Sequence, residues 1–300
     1  MLADVVQRLS RHMLGRPGRR TAPRRSIDPV LLEALAARDW WFYQHFVWAP
    51  GIIVDYLQRL TPLEPARVFD FGCGEGLMAK GVALVAREVH GVDIVPKFKG
   101  LEERFDAAFG PENRLPAVEL RLVEPDERLP YKNGYFDAAF AWSVFEHVHD
   151  TPRALREIHR VLRPGGAFYL IINPLYYSAH GGHLWHILEE PWIHLKLTKE
   201  ELLDRMRAAE MKPASEVAPG RTDIYQGRTV EAYRTCVMRC LDSLNMLTVG
   251  QLIQHAREAG FTIVHQETRQ TLPFEPTPDL LARYSREDLR TDEVTLLMQR

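Results

Sequence analysis

Cysteine is scarce in this chain of 300 residues: only Cys73, Cys236 and Cys240 occur. Neither their number nor their spacing builds a disulfide framework or a closed zinc site. Long apolar runs are missing too. None approaches the roughly 18 to 20 residues that a membrane span needs, and the first thirty residues lack the apolar core of a secretory signal. A reducing, cytoplasmic setting is the expectation. Excess charge of one sign is also absent, with 38 Lys and Arg against 40 Asp and Glu for a net charge of −2. Internal repeats and low-complexity stretches are not seen, so an interruption in the pattern of elements reads as an insertion on one domain.

What is present can fold. Hydrophobic side chains make up 46% and charged ones 26% of the chain, enough for one large core or one domain carrying an insertion. The charge is unevenly spread. Arg8, Arg11, Arg16, Arg19, Arg20, Arg24 and Arg25 stand against Asp4 alone in residues 1–25, so this arm carries +6 and the remainder −8. Residues 1–27 are expected to be a basic, flexible arm that could touch anionic lipid as a peripheral membrane contact. The acidic remainder argues against a body that tracks nucleic acid.

Residues 28–65 read as two N-terminal helices, opened by Asp28-Pro29 and separated near Ala49-Pro50-Gly51. The aromatic run Trp40–Tyr43 between them suits packing or a lid over a ligand. From residue 66 short apolar strands alternate with amphipathic helices: ARVFDFG, VHGVDIV, VELRLVE, FDAAFAW and GAFYLII are strands with helices between them. This is the rhythm of an α/β fold, a doubly wound parallel sheet with helices on both faces. The rhythm stops after Pro174, where a mainly helical insertion at about 175–247 is expected. It resumes from residue 248 and closes on the strand EVTLLMQR.

The stretch VFDFGCGEG ends a strand at Asp70 and supplies Gly72, Gly74 and Gly76 before a helix. Glycine there permits tight turning and close approach of a ligand to the helix N-terminus. Counting from Gly72, the last glycine of a G-x-G-x-x-G fingerprint would fall on Leu77, so a diphosphate-binding loop is disfavoured. The Asp70 carboxylate beside that loop suits a cation better than a diphosphate. The second strand ends at Asp93, where a carboxylate can accept both hydroxyls of a ribose. Glycine loop and strand-end acid together point to an adenosine ligand without a diphosphate.

With LPYKNGYFDAAFAWSVFEHVHD and REIHRVLRPGGAFYLIINP following in order, the chain resembles the class I S-adenosylmethionine-dependent methyltransferases, especially the group with ubiquinone/menaquinone- and sterol-type enzymes. The resemblance covers residues 66–175 and 248–299 and implies a Rossmann-like seven-stranded sheet, with residues 66–300 as the methyltransferase domain. It implies S-adenosylmethionine as cofactor, with Asp70, Gly72, Gly74 and Gly76 around the methionine moiety, Asp93 on the ribose and Ile94 on the adenine. Ser143, in the turn after the fourth strand, joins the cofactor-binding candidates. The family's usual Asp four residues before the LP pair is here Pro125, and Asp126 is taken as the substitute.

Methyl transfer from a sulfonium needs a close, aligned nucleophile more than covalent help from the protein. An oxygen nucleophile benefits from a base, and histidine suits that task. Candidate catalytic residues are His147 in FEHVHD, and His183 and His186 in HGGHLWHILEEPWIH. Glu146 has a pocket-lining reading, and Cys73 is not expected to be a reactive thiol. The spacing of His180, His183 and His186 would align them on a helix, but Gly181-Gly182 argue against one. Trp185 and Trp192 offer apolar walls for an acceptor. No metal is expected, because neither Cys nor clustered Asp joins the histidines in sequence. The expected function is methyl transfer to a small-molecule or lipid-like acceptor, at oxygen. The alternatives are an RNA or protein methyltransferase using the basic arm, and a non-catalytic binding module.

Overall fold

A computed structural model describes residue 27 and residues 29–113, 115–210, 230–270 and 272–300. Residues 1–26 of the basic arm and Asp28 lie outside the described residues, as do residues 211–229 within the expected insertion. The described residues pack as two compact units, those up to 141 with 157–169 and 299–300, and residues 142–156 with those from 170 to 298.

In the first unit α1 (Pro29–Arg38) precedes α2 (Trp40–Tyr43), a π-helical turn (Gln44–Trp48) and α3 (Ala49–Leu57). The expected break at Ala49-Pro50-Gly51 is not there. The helix restarts instead at Asp39, whose Oδ1 accepts from the Phe42 N–H at 2.9 Å. Pro50 then falls in the first turn of α3, where its missing N–H costs least, and the π turn ahead of it absorbs the interruption. Phe42, Tyr43 and Phe46 are buried with Leu77, Leu101, Phe105 and Phe109, and the Phe42 and Phe105 rings meet edge to face at 4.9 Å. Most of the aromatic run is therefore core.

The same unit holds β1 (Arg67–Phe71), α4 (Leu77–Ala83), β2 (Glu88–Asp93), α5 (Leu101–Phe109) and β3 (Glu119–Leu122), followed by β4 (Phe136–Trp142) up to Ala141. β1 pairs in parallel with both β2 and β4, and β2 with β3. Buried on three of five and five of seven residues, with none exposed, β1 and β4 have the character of interior parallel strands, whereas β3 is exposed on three of four.

α6 (Thr151–Val161) leads into β5 (Leu162–Ile172). The second unit then carries α7 (Ile193–Lys196), α8 (Lys199–Ala208), α9 (Val230–Asp242), α10 (Val249–Glu258), β6 (Thr262–Arg269), α11 (Pro278–Leu281), α12 (Arg286–Arg290) and β7 (Glu293–Gln299). Both α8 and α10 open with reciprocal Thr capping boxes, Thr198 with Glu201 and Thr248 with Gln251. One core of the second unit gathers Leu184, Ile187, Leu202, Met206 and Val237.

The strands form one seven-stranded sheet in the order β3-β2-β1-β4-β5-β7-β6. It is not parallel throughout. The Gly165 N–H donates to Arg300 O at 2.8 Å, while the Leu175 N–H donates to Asp292 O at 3.0 Å. The start of β5 thus lies beside the end of β7, so the two run in opposite directions. The physical reason is the link after β6: Asp292 N–H donates to Arg269 O at 3.1 Å, so the chain re-enters at the end where β6 finished, without the crossover a parallel strand requires. Among the described residues, no helix is long and apolar enough to cross a membrane.

Candidate active site

The glycine loop is built on left-handed backbone. Gly72, Gly74 and Gly76 have φ of 80°, 53° and 78°, conformations that cost an L-residue about 1–2 kcal/mol. Beyond that shared cost the positions differ. A Cβ on Gly76 would lie 2.5 Å from Leu120 Cδ1 and 2.9 Å from Leu101 Cδ2, whereas one on Gly74 would meet nothing within 4 Å. Gly76 is glycine for packing, and Gly74 faces open space. The N–H groups of Gly72 and Cys73 both donate to Val92 O at 2.9 Å, tying the loop to the end of β2.

That strand end carries Asp93. Its Oδ2 accepts from the Gly74 N–H and its Oδ1 from the Val95 N–H, both at 2.8 Å, so two backbone amides fix the plane of the carboxylate. Asp70 stands close by and is only 1% exposed. Its Oδ2 has no hydrogen-bond partner. Burial, aided by the charge of Asp93, pushes its carboxyl well above the usual carboxylate range. An orphaned buried acid beside a second acid is relieved by a cation. Cys73 is buried, and burial followed by the charges of Asp70 and Asp93 pushes its thiol up, which keeps it unreactive at neutral pH.

Sequence reasoning missed three groups at this loop. Glu75 Oε2 accepts from Arg104 Nη1 at 2.7 Å and from Trp41 Nε1 at 3.3 Å. The loop acid is thereby held by α5 and by the N-terminal aromatic run, so Trp41 touches the loop while its neighbours fill the core. No sequence spacing signals that contact. Ile94 is 56% exposed, available to an apolar ligand face. Asp126 is exposed with φ of 59°, on the loop after Val123, whose N–H donates to Asp93 O at 3.0 Å.

The second unit begins where β4 ends. Ser143 has φ of 48°, its N–H donates to Ile171 O at 2.9 Å, and its Oγ donates to Asn173 O at 3.3 Å. The next turn, Phe145–His147, is clamped by Asn245. Its N–H donates to Glu146 O at 2.9 Å, and its Nδ2 donates to Phe145 O at 2.5 Å and to Val148 O at 2.8 Å. Glu146 is 3% exposed, and burial pushes its carboxyl up to about 8.

In the histidine-rich segment the glycines are steric. A Cβ on Gly181 would sit 2.0 Å from Tyr176 O, and one on Gly182 would strike the His194 ring at 2.6 Å. His194 is itself structural: its Nε2 lies 2.7 Å from Tyr176 O, and it is 8% exposed. Burial lowers its pKa to about 4, leaving a neutral ring that donates Nε2–H to that carbonyl. Trp192 is 3% exposed, and its Nε1 donates to Leu289 O at 3.2 Å. It is buried in a cluster with Ala179, Leu195, Leu280 and Leu289. Trp185 does meet the imidazoles, with ring centroids 6.0, 5.5 and 5.0 Å from those of His180, His183 and His186. His183 has φ of 58°. Burial, followed by the neighbouring His147, lowers its pKa to about 3.

No cysteine lies beside the histidines in sequence, but the fold brings one to two of the candidates. A ring nitrogen of His147, one of His183 and Cys240 Sγ lie within 4.8 Å of one another. Cys240 arrives on α9, whose C-terminal continuation through Ser243 and Asn245 is bonded to the 145–148 turn. The sequence separation of about one hundred residues hid this meeting.

A family model described as a methyltransferase domain matches residues 69–170. Two curated relatives carry the name ubiquinone biosynthesis O-methyltransferase. The one from Xanthomonas oryzae pv. oryzae (strain PXO99A) is 30% identical over 117 residues, 39% of this chain and 47% of the relative. The one from Dechloromonas aromatica is 28% identical, over 39% and 48%. The chain thus spans about half the length of the curated relatives it matches. Among solved structures, an S-adenosylmethionine-dependent methyltransferase from Mesorhizobium loti aligns at 21% identity and a TM-score of 0.46, covering 82% of this chain and 96% of that one. The [4+2]-cyclase SpnF aligns at 19% and 0.49, covering 100% and 93%. Residues 69–170, which carry the glycine loop and the strand-end Asp93, are thus similar to a methyltransferase domain.

Proposed function

We propose that the protein transfers a methyl group from S-adenosylmethionine to an oxygen of a small-molecule or lipid-like acceptor. The observation that carries the cofactor is the pairing of Gly74 with Asp93: an open space beside a left-handed glycine, next to a carboxylate fixed by two backbone N–H groups. Asp70, with its orphaned Oδ2, fits the cationic end of such a ligand. Gly72 and Gly76 shape the loop, Asp93 takes the ribose hydroxyls, Ile94 offers its exposed side chain to the adenine, and Asp126 and Ser143 complete the cofactor set. The bound cofactor supplies an already activated sulfonium methyl.

The acceptor side is assigned to the second unit, with residues of about 175–247 lining it and His147, His183 and His186 polarising the acceptor hydroxyl. A ring whose pKa lies near 3 holds a proton weakly at neutral pH, so His183 serves better as a lone-pair donor than as a proton store. Oxygen as the target, and a small acceptor, rest on the names of the curated relatives. A macromolecular substrate held by the basic arm would lose activity when residues 1–25 are removed. The test is incubation with labelled cofactor and a panel of phenols, quinols and lipid alcohols, with mass spectrometry of the product. An O-methylated product from full-length and truncated protein alike supports the reading. Label found only in RNA or protein overturns it.

A further inference from the structure

We propose that His147, His183 and Cys240 together bind one divalent cation of the zinc class. Their three donor atoms lie within 4.8 Å of one another. Bonds of about 2.0–2.1 Å to nitrogen and 2.3 Å to sulfur place neighbouring ligands of a tetrahedral ion about 3.3–3.7 Å apart. Side-chain rotations that draw the donors together by about 1 Å close the site.

The surroundings orient the donors. The buried Nε2 of His183 has no hydrogen-bond partner, which leaves that nitrogen for a bond to the ion when the ring proton is on Nδ1. On His147, Nδ1 lies 2.8 Å from Ser243 Oγ. The Ser243 hydroxyl donates to Cys240 O at 2.7 Å, so its oxygen accepts from His147 Nδ1–H, and the lone pair of that ring is on Nε2. Metal-binding histidines use this pattern, in which the second nitrogen donates to a carbonyl or other acceptor and fixes the tautomer. Ser243 thus orients His147 through its hydroxyl and bonds the backbone of Cys240, linking two ligands. The Asn245 clamp holds the turn that carries His147 against the end of α9.

Two imidazoles and one thiolate select a borderline ion such as zinc over magnesium or calcium, which take oxygen ligands. Binding takes up the dication, forms two Zn–N bonds and one Zn–S bond, and releases the Cys240 thiol proton to solvent. No oxidant or reductant is involved. Three protein ligands leave a fourth position open, the arrangement of catalytic rather than structural zinc sites. Resting on the methyltransferase reading above, that position receives the acceptor oxygen and lowers its pKa.

The test uses full-length protein stripped with chelator and titrated with Zn²⁺ against a competing indicator, and separately with Co²⁺. One ion per chain is expected, with a thiolate-to-cobalt charge-transfer band in the near ultraviolet. Cys240→Ser should remove that band, His183→Ala should weaken Zn²⁺ binding at least tenfold, and Cys236→Ser, at an exposed thiol on the same helix, should change neither. Ser243→Ala, a milder change, should cost about 10-fold to 100-fold in affinity; it decides the matter if the ligand variants do not fold. No ion bound by the stripped protein, or binding that Cys240→Ser, His183→Ala and Ser243→Ala leave intact, overturns the site. The readout is the ion itself, so failure here is distinct from failure of methyl transfer, which is read by cofactor binding and product.

Discussion

Replacing Gly74 and Gly76 by alanine separates ligand space from packing within one loop. Both residues are left-handed, at φ of 53° and 78°, so each alanine bears a strain of about 1–2 kcal/mol. At Gly76 the new methyl also meets Leu120 Cδ1 at 2.5 Å and Leu101 Cδ2 at 2.9 Å. Those ends must shift, which adds about 1–3 kcal/mol of overpacking. Gly76→Ala should then lose about 2–5 kcal/mol of stability. Gly74→Ala, with nothing within 4 Å, should lose only the strain. Cofactor affinity should respond in the opposite sense, because the methyl on Gly74 enters the space assigned to the ligand: a loss of tenfold or more, about 1.4 kcal/mol, is expected beyond any shared effect. Denaturant unfolding reads the first quantity and calorimetric titration the second. Equal destabilisation of both variants, or unchanged cofactor affinity in Gly74→Ala, would refute the reasoning.

Gly181→Ala should destabilise more than a typical surface change, by about 1–3 kcal/mol in denaturant unfolding, because its Cβ would meet the backbone carbonyls of Tyr176 and Leu175 at 2.0 and 2.3 Å. His194, with a pKa lowered to about 4 by burial against about 6.5 unfolded, is neutral in the fold. The unfolded chain takes up the proton first, so stability is intact above pH 6.5 and falls as pH drops towards 4, by up to about 3 kcal/mol. His194→Gln should flatten that limb, and an unchanged slope would put its origin elsewhere. His186→Ala should lower turnover with cofactor affinity unchanged, as for a group acting on the acceptor alone; a parallel loss of cofactor affinity would move it to the other site.

The strand-helix rhythm made most of the sheet legible, because interior parallel strands such as FDAAFAW are apolar on nearly every residue and sit between amphipathic helices. Direction was less legible: nothing in EVTLLMQR says that β7 enters from the same end at which β6 finished. Pro50 misled because a proline in the first turn of a helix, behind a π turn, looks in sequence like a break. The nearness of Asp70, the glycine loop and Asp93 could be read because loop and strand-end acid are close in the chain. Glu75 with Trp41 and Arg104, and Cys240 with His147 and His183, depend on tertiary meetings that leave no spacing to count. The HGGH glycines carried a signal that was only half used: they excluded a helix, yet their reason is the close approach of Tyr176 O and the His194 ring.

The most direct test of the central claim is calorimetric titration of the full chain and of Asp93→Ala with S-adenosylmethionine, its demethylated product and NAD. Saturable binding of the first two but not of NAD is expected. In Asp93→Ala the affinity should fall by about 1.5–3 kcal/mol, the range for hydrogen bonds to a charged group. Binding of NAD without S-adenosylmethionine, or an Asp93→Ala variant that binds S-adenosylmethionine as tightly as the parent, would contradict the account.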